Sequence, residues 1–165
     1  MGGKIVKLKN KVVIVTGGGQ GIGEEIVHLF VKEGASISIA DRVEEGMKRI
    51  GEEIRSKGGK AIEIKADITV NSDIKKMVEE TIDKFGRIDI LVNNAGTIHP
   101  VEFLKMTEED WDFIQNVDLK GLVMCTKNVA PYMIRQRYGK IINISSMSAF
   151  GVYLPGFASY SAAKA

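Results

Sequence analysis

Five short apolar runs punctuate the chain, and a stretch with apolar residues at every third or fourth position follows each of the first four. The first run covers residues 11–17, and a helical pattern follows from Ile22 to Lys32, with Ile26, Val27, Phe30 and Val31 as its apolar stripe. Ser36–Asp41 reads as a second strand and Glu44–Lys57 as a second helix, with Met47, Ile50 and Ile54 on one face. Gly34 and the Gly58-Gly59 pair stop the two helices. The third strand runs from Ala61 to Ala66 and the third helix from Ser72 to Phe85. Asp89–Asn94 has the unbroken apolar run of a strand buried on both faces. Thr107, with Asp110 three residues on, forms a capping-box pattern that opens a long helix to about Gln136. Ile141–Ser146 is the fifth strand, and a last helix runs toward Ala165.

Strand and helix therefore alternate, which predicts a parallel sheet covered by helices on both faces. The fold class expected is α/β, doubly wound, in one domain over residues 1–165.

Ligands of such sheets bind outside the carboxyl ends of the strands. Each strand here ends in residues suited to that place: Thr16-Gly17, Asp41, Asp67, Asn94-Ala95-Gly96 and Ser145-Ser146. The first of these ends begins a glycine cluster that leads directly into a helix. Free backbone N–H groups and the positive end of a helix dipole meet there, a combination that binds phosphate. The spacing is T-G-x-x-x-G-x-G, with glycines at 17, 21 and 23, and not the general G-x-G-x-x-G. Asp41 follows at about the distance expected of a carboxylate that holds the adenosine ribose hydroxyls. Its charge would repel a ribose 2′-phosphate, so NAD is expected over NADP. Arg42 beside it could accept that phosphate bidentately, which keeps NADP as the less favoured alternative.

Tyr160 and Lys164 stand four residues apart, so a helix presents them on one face. A free phenol is a poor base at neutral pH, and an ammonium beside it would stabilise the phenolate. The pair is thus a candidate proton donor and acceptor.

Composition narrows the partners. Hydrophobic residues make up 44% and charged residues 27%, as in ordinary globular proteins. The net charge of +2, with lysines interleaved among glutamates, argues against a nucleic-acid partner. Cys125 is the one cysteine, which leaves neither an intrachain disulfide nor a Cys-based zinc site, and no other residues have metal-ligand spacing. No apolar run is long enough to span a membrane and no signal-peptide pattern opens the chain, so a cytoplasmic location is expected. His28 reads as a surface or boundary residue, His99 as a loop residue with a smaller claim to a substrate cleft, and Cys125 as a packing residue.

Thr16-Gly17-x-x-x-Gly21-x-Gly23, Asn93-Asn94-Ala95-Gly96, the strand end Ser145-Ser146, and Tyr160-x-x-x-Lys164 occur in this order. On these four motifs the chain resembles the short-chain dehydrogenase/reductase family along essentially its whole length. The resemblance implies a Rossmann-type fold and hydride transfer between NAD(H) and a secondary alcohol or ketone. It implies a cofactor held by Gly17, Gln20, Gly21, Ile22, Gly23, Asp41 and Arg42, with Asp67 at the adenine amino group and Ile68 beside the ring. Asn94 would lie near the adenosine ribose, and Tyr160 and Lys164 at the nicotinamide end.

Tyr160 is then the general acid/base and Lys164 its partner. The family's substrate-binding serine matches Ser146, one residue further from Tyr160 than the usual interval, with Ser148 as the alternative and Ser145 as a structural residue. Relatives carry a catalytic asparagine in a Val-Asn-Leu-x-Gly pattern; here Val117-Asp118-Leu119-Lys120-Gly121 puts Asp118 in that place. Family members usually continue through two more strands and assemble as homo-oligomers, so C-terminal strands are expected beyond Ala165. The competing reading is a truncated, non-catalytic nucleotide-binding relative.

Overall fold

The computed structural model describes residues 6–151 and 155–165. The stretch 147–156, where the sequence places the extra residue before Tyr160, lies partly outside them. Five strands, β1 (Val12–Thr16), β2 (Ser36–Asp41), β3 (Lys60–Lys65), β4 (Ile90–Asn93) and β5 (Lys140–Asn143), alternate with helices α1 (Gly21–Lys32), α2 (Glu44–Ser56) and α3 (Asn71–Phe85) and, before β5, α4 (Glu108–Gln115) and α5 (Leu122–Gln136). The seven-residue α6 (Ala158–Lys164) closes the described chain. All pairings are parallel and the strand order is β3-β2-β1-β4-β5, so the sheet is doubly wound with its switch point between β1 and β4.

The period-2 alternation of β1 divides the core. Val13 and Val15 face α1 and α2 with Val27, Ile37, Ile39, Met47 and Ile50. Ile14 faces the other side, with Ile64 and Leu91 from β3 and β4 and Met77, Cys125 and Val129 from α3 and α5. Every residue of β1 is buried, whereas every residue of β5 is exposed. Among the described residues no helix is long and apolar enough to cross a membrane.

Besides other element ends that shift by one residue, three details depart from the sequence expectation. The fifth strand ends at Asn143, so Ser145 and Ser146 lie beyond it; after Ile144 N–H donates to Asn93 O, the chain turns away and Ser146 caps the 3-10 turn Met147–Phe150. The long helix is not uniformly α: Asn116–Gly121 between α4 and α5 is π-helical. Gly121 packs closely there: a Cβ would lie 2.8 Å from Ile68 Cδ1 and 3.1 Å from Ile68 O. The first helix begins at Gly21, one residue early.

Candidate active site

The carboxyl ends of the five strands meet in a cleft of about 630 Å³ at the switch point. At its near wall, Gly17 takes φ +63° and Gly21 φ +54°, and a Cβ on Gly23 would sit 2.0 Å from Gly17 O. Close approach of α1 to the strand end therefore demands glycine at 23. Thr16 and Asn94 brace this turn. Thr16 Oγ1 donates to Val92 O and accepts from the N–H groups of Asn94 and Ala95, while Asn94 Nδ2 donates to Thr16 O and Gly17 O at 3.0 Å each. The helix behind the turn has no side-chain cap at Gln20, which leaves its first N–H groups available to an anion.

One end of the cleft carries carboxylates. Asp41 Oδ2 accepts from Gly19 N–H at 3.0 Å and Oδ1 from Val43 N–H at 3.1 Å, so the group is fixed by its own backbone surroundings. Arg42, largely exposed, reaches Asp67 at 3.7 Å. Burial raises the Asp67 carboxyl, but the N–H and hydroxyl of Thr69 and the Arg42 guanidinium outweigh it, and the net shift is downward. Asp67 is thus a carboxylate at neutral pH.

The other end is a buried ion pair under a tyrosine. Lys164 Nζ lies 3.1 Å from Asp118 Oδ1, with both side chains almost fully buried, and also donates to Ile144 O at 3.3 Å. Thr97 N–H donates to both oxygens of Asp118 at 3.2 Å. Gly96 makes room for the pair: a Cβ there would lie 2.5 Å from Asp118 Oδ1. The π-helical turn carries Asp118 to this point; such turns often occur at functional sites. The Tyr160 ring centroid lies 5.8 Å from Lys164 Nζ and packs edge-on against Phe157.

Of the residues singled out in sequence, Gly17, Gln20, Ile22, Gly23, Asp41, Arg42, Asp67, Ile68, Asn94, Asp118, Ser146, Tyr160 and Lys164 line this one cleft. Gly21 lies behind these residues, and its left-handed backbone, φ +54°, shapes the turn. Ser148 is buried and off the cleft wall, donating its N–H to Ser146 Oγ at 3.2 Å. Ser145 Oγ donates to Lys164 O at 2.5 Å, a structural contact.

His99 lies outside the cleft wall, 2.7 Å from Asp110 and edge-on to Phe113, while His28 sits at the surface between Glu24 and Glu53. Burial pushes the Cys125 thiol up to about 12, which leaves it protonated and inert. Among the described residues no three His, Cys, Asp or Glu side chains are placed to hold a metal ion. Sequence reasoning named Gly96 only as part of a motif and missed Thr97 and Ile144, which act here through backbone groups and so leave no pattern of residue type.

A family model described as short chain dehydrogenase matches residues 11–165. The chain belongs to the short chain dehydrogenase family. It is 41% identical to the 3-oxoacyl-(acyl-carrier-protein) reductase FabG of Thermotoga maritima over 161 residues, which cover 97% of this chain and 65% of that protein. It is 38% identical to the (hydroxy(phenyl)methyl)succinyl-CoA dehydrogenase subunit BbsD of Thauera aromatica over 158 residues, 96% of this chain and 63% of that protein. The crystal structure of gox2181 superimposes with a TM-score of 0.91 at 34% identity, covering 96% of this chain and 63% of the other. The chain thus spans less than two thirds of the length of these short chain dehydrogenase relatives.

Proposed function

We propose that this short chain dehydrogenase transfers a hydride between NAD(H) and a secondary alcohol or ketone, with Tyr160 as the proton donor and acceptor. The observation that carries the reading is the single cleft with a glycine turn and uncapped helix at one wall and Tyr160 beside a buried Lys164–Asp118 pair at the other. The residues fit a dinucleotide: the tight turn closes only with glycine at 23, and the cleft is of a size usual for cofactor sites. Gly17, Gln20, Ile22 and Gly23 would hold the pyrophosphate, Asp41 the adenosine ribose, Asp67 and Ile68 the adenine, and Lys164 the nicotinamide ribose. When bound, the nicotinamide gives or takes the hydride exchanged with the substrate carbon.

Tyr160 then gives a proton to the carbonyl oxygen in reduction, or takes it from the hydroxyl in oxidation. Asp118 and Ile144 O hold the Lys164 ammonium in place, 5.8 Å from the centre of the Tyr160 ring. Ser146 would bind the same substrate oxygen. Ser148 N–H donates to Ser146 Oγ and the two hydroxyls lie 3.1 Å apart, so the Ser146 O–H is free for the substrate when the Ser148 hydroxyl is the donor of that contact.

NAD is favoured because the Asp41 carboxylate is already fixed at the end of β2, and because Arg42 is drawn to Asp67. A homo-oligomer is supported by the exposed Trp111, Leu119 and Val123 along the α4–α5 run. Both named relatives act on acyl thioesters by their names, so acetoacetyl-CoA is a suitable probe for the ketone class.

The test is turnover of acetoacetyl-CoA and of a panel of secondary alcohols, with NAD(H) and NADP(H), by the purified intact protein and its Tyr160→Phe variant. The reading expects NAD(H)-linked turnover that falls by roughly a thousandfold or more in the variant. Turnover retained in Tyr160→Phe would remove Tyr160 from the mechanism. A preference for NADP(H) would overturn the argument from Asp41, and cofactor binding with no turnover of any substrate would favour the non-catalytic reading.

A further inference from the structure

The helix that carries Tyr160 and Lys164 is short, and its N-cap residue, Phe157, makes no side-chain cap. Seven residues form too few turns to hold a helix by themselves. A part-buried polar contact ties its first turn to α4. Gln115 Nε2 donates to Ser159 O at 2.8 Å and to Ser159 Oγ at 3.2 Å, and Ser159 Oγ donates to Trp111 O at 3.2 Å. Ser159 is 3% exposed and directly precedes Tyr160 in the chain. Gln115 is the last residue of α4 and directly precedes the π-helical turn that bears Asp118. One carboxamide thus ties the backbone next to the tyrosine to the element that delivers the aspartate. Neither end of this clamp is on the wall of the cleft.

The geometry points to Gln115 and Ser159 as positioning residues for catalysis: their clamp sets where Tyr160 stands relative to the Lys164–Asp118 pair. This rests on the proposed role of Tyr160 and extends it to two residues outside the site. The contact is made by donors that an apolar side chain or a carboxylate cannot supply. Gln115→Glu keeps the size but loses both N–H donors, and Ser159→Thr keeps the hydroxyl that Ser159→Ala removes.

The experiment is steady-state kinetics with NADH and acetoacetyl-CoA on the intact protein and on Gln115→Leu, Gln115→Glu, Ser159→Ala and Ser159→Thr. NADH affinity is measured separately by fluorescence, and folding by thermal melts. Gln115→Leu, Gln115→Glu and Ser159→Ala should each lower kcat roughly 10- to 100-fold, the scale set by small misplacement of a reacting group. NADH affinity should stay within about twofold, because the glycine turn and Asp41 are untouched, and Ser159→Thr should recover most of the loss. A purely structural role would lower the melting temperature without this split between kcat and cofactor affinity. If kcat in Gln115→Glu stays within twofold of wild type while Tyr160→Phe is inactive, the clamp has no positioning role and the proposed mechanism stands. If Tyr160→Phe is itself active, the mechanism fails first. Should Ser159→Ala not fold, the Gln115 variants decide the question.

Discussion

The two halves of the cleft are built by different means. The cofactor half stands on β1 and β2, paired in continuous register from Val12 opposite Ser36 to Thr16 opposite Ala40, with β1 wholly buried. Its groups are placed mainly by the backbone, a glycine turn, a helix N-terminus and a carboxylate held by two N–H groups, with the Thr16 and Asn94 side chains bracing the turn. The chemical half stands on β5, whose side chains are all exposed, and on a seven-residue helix. Its geometry is held by side chains reaching across elements, Lys164 to Asp118, Gln115 to Ser159 and Ser145 to Lys164 O. The first half is a consequence of the sheet, while the second depends on a few contacts, any one of which a single substitution can remove.

Asp118→Ala should therefore give the largest effect. It leaves the Lys164 ammonium buried without its partner, and breaking such a pair from one side costs about 3–5 kcal/mol. Urea unfolding should register the loss. Hydrogen exchange should place it in α6 and β5, with β1 and β2 protected as before; equal loss in all strands would show that the two halves are not separable.

Gly23→Ala attacks the other half. Its Cβ would meet Gly17 O at 2.0 Å, so the turn must open, at about 1–3 kcal/mol of stability. Calorimetric titration should show NADH affinity falling by tenfold or more. An unchanged affinity would mean that the turn does not hold the cofactor.

The smallest effect concerns the start of α4, beside the loop that leads from β4. Thr107 N–H, then His99, hold the Asp110 carboxyl below its usual range, so the capping box adds stability above the ordinary aspartate value and loses it as pH falls through the lowered one. Asp110→Asn should be slightly less stable than the parent near neutrality, with the gap closing in acid. A gap that persists in acid would show that charge on Asp110 is not what the cap uses.

The same contrast explains what could be read from the sequence. Period-2 and period-3.6 patterns depend on burial alone, so the strands, most helices and the doubly wound order follow from residues such as Val13, Ile14 and Met77. The glycine turn, Asp41 and the Tyr160–Lys164 spacing were legible because their geometry is local to the chain. The π-helical turn at Asn116–Gly121 was not, because it is set by what Asp118 and Gly121 meet from the segments that follow β3 and β4 and from α6. The early end of β5 escaped for a related reason: Ile144-Ser145-Ser146 continues the strand's residue types, but Ser146 is taken up by the cap of the following turn. Gln115 and Ser159 lie far apart in sequence and neither type is diagnostic, so only the packing of α6 on α4 brings them together.

The most direct test of the division between the halves is NADH affinity measured on Tyr160→Phe beside its turnover. Binding should stay within a few-fold of the parent while reduction of acetoacetyl-CoA falls by roughly a thousandfold. Turnover that survives the loss of the hydroxyl would contradict the account at its centre.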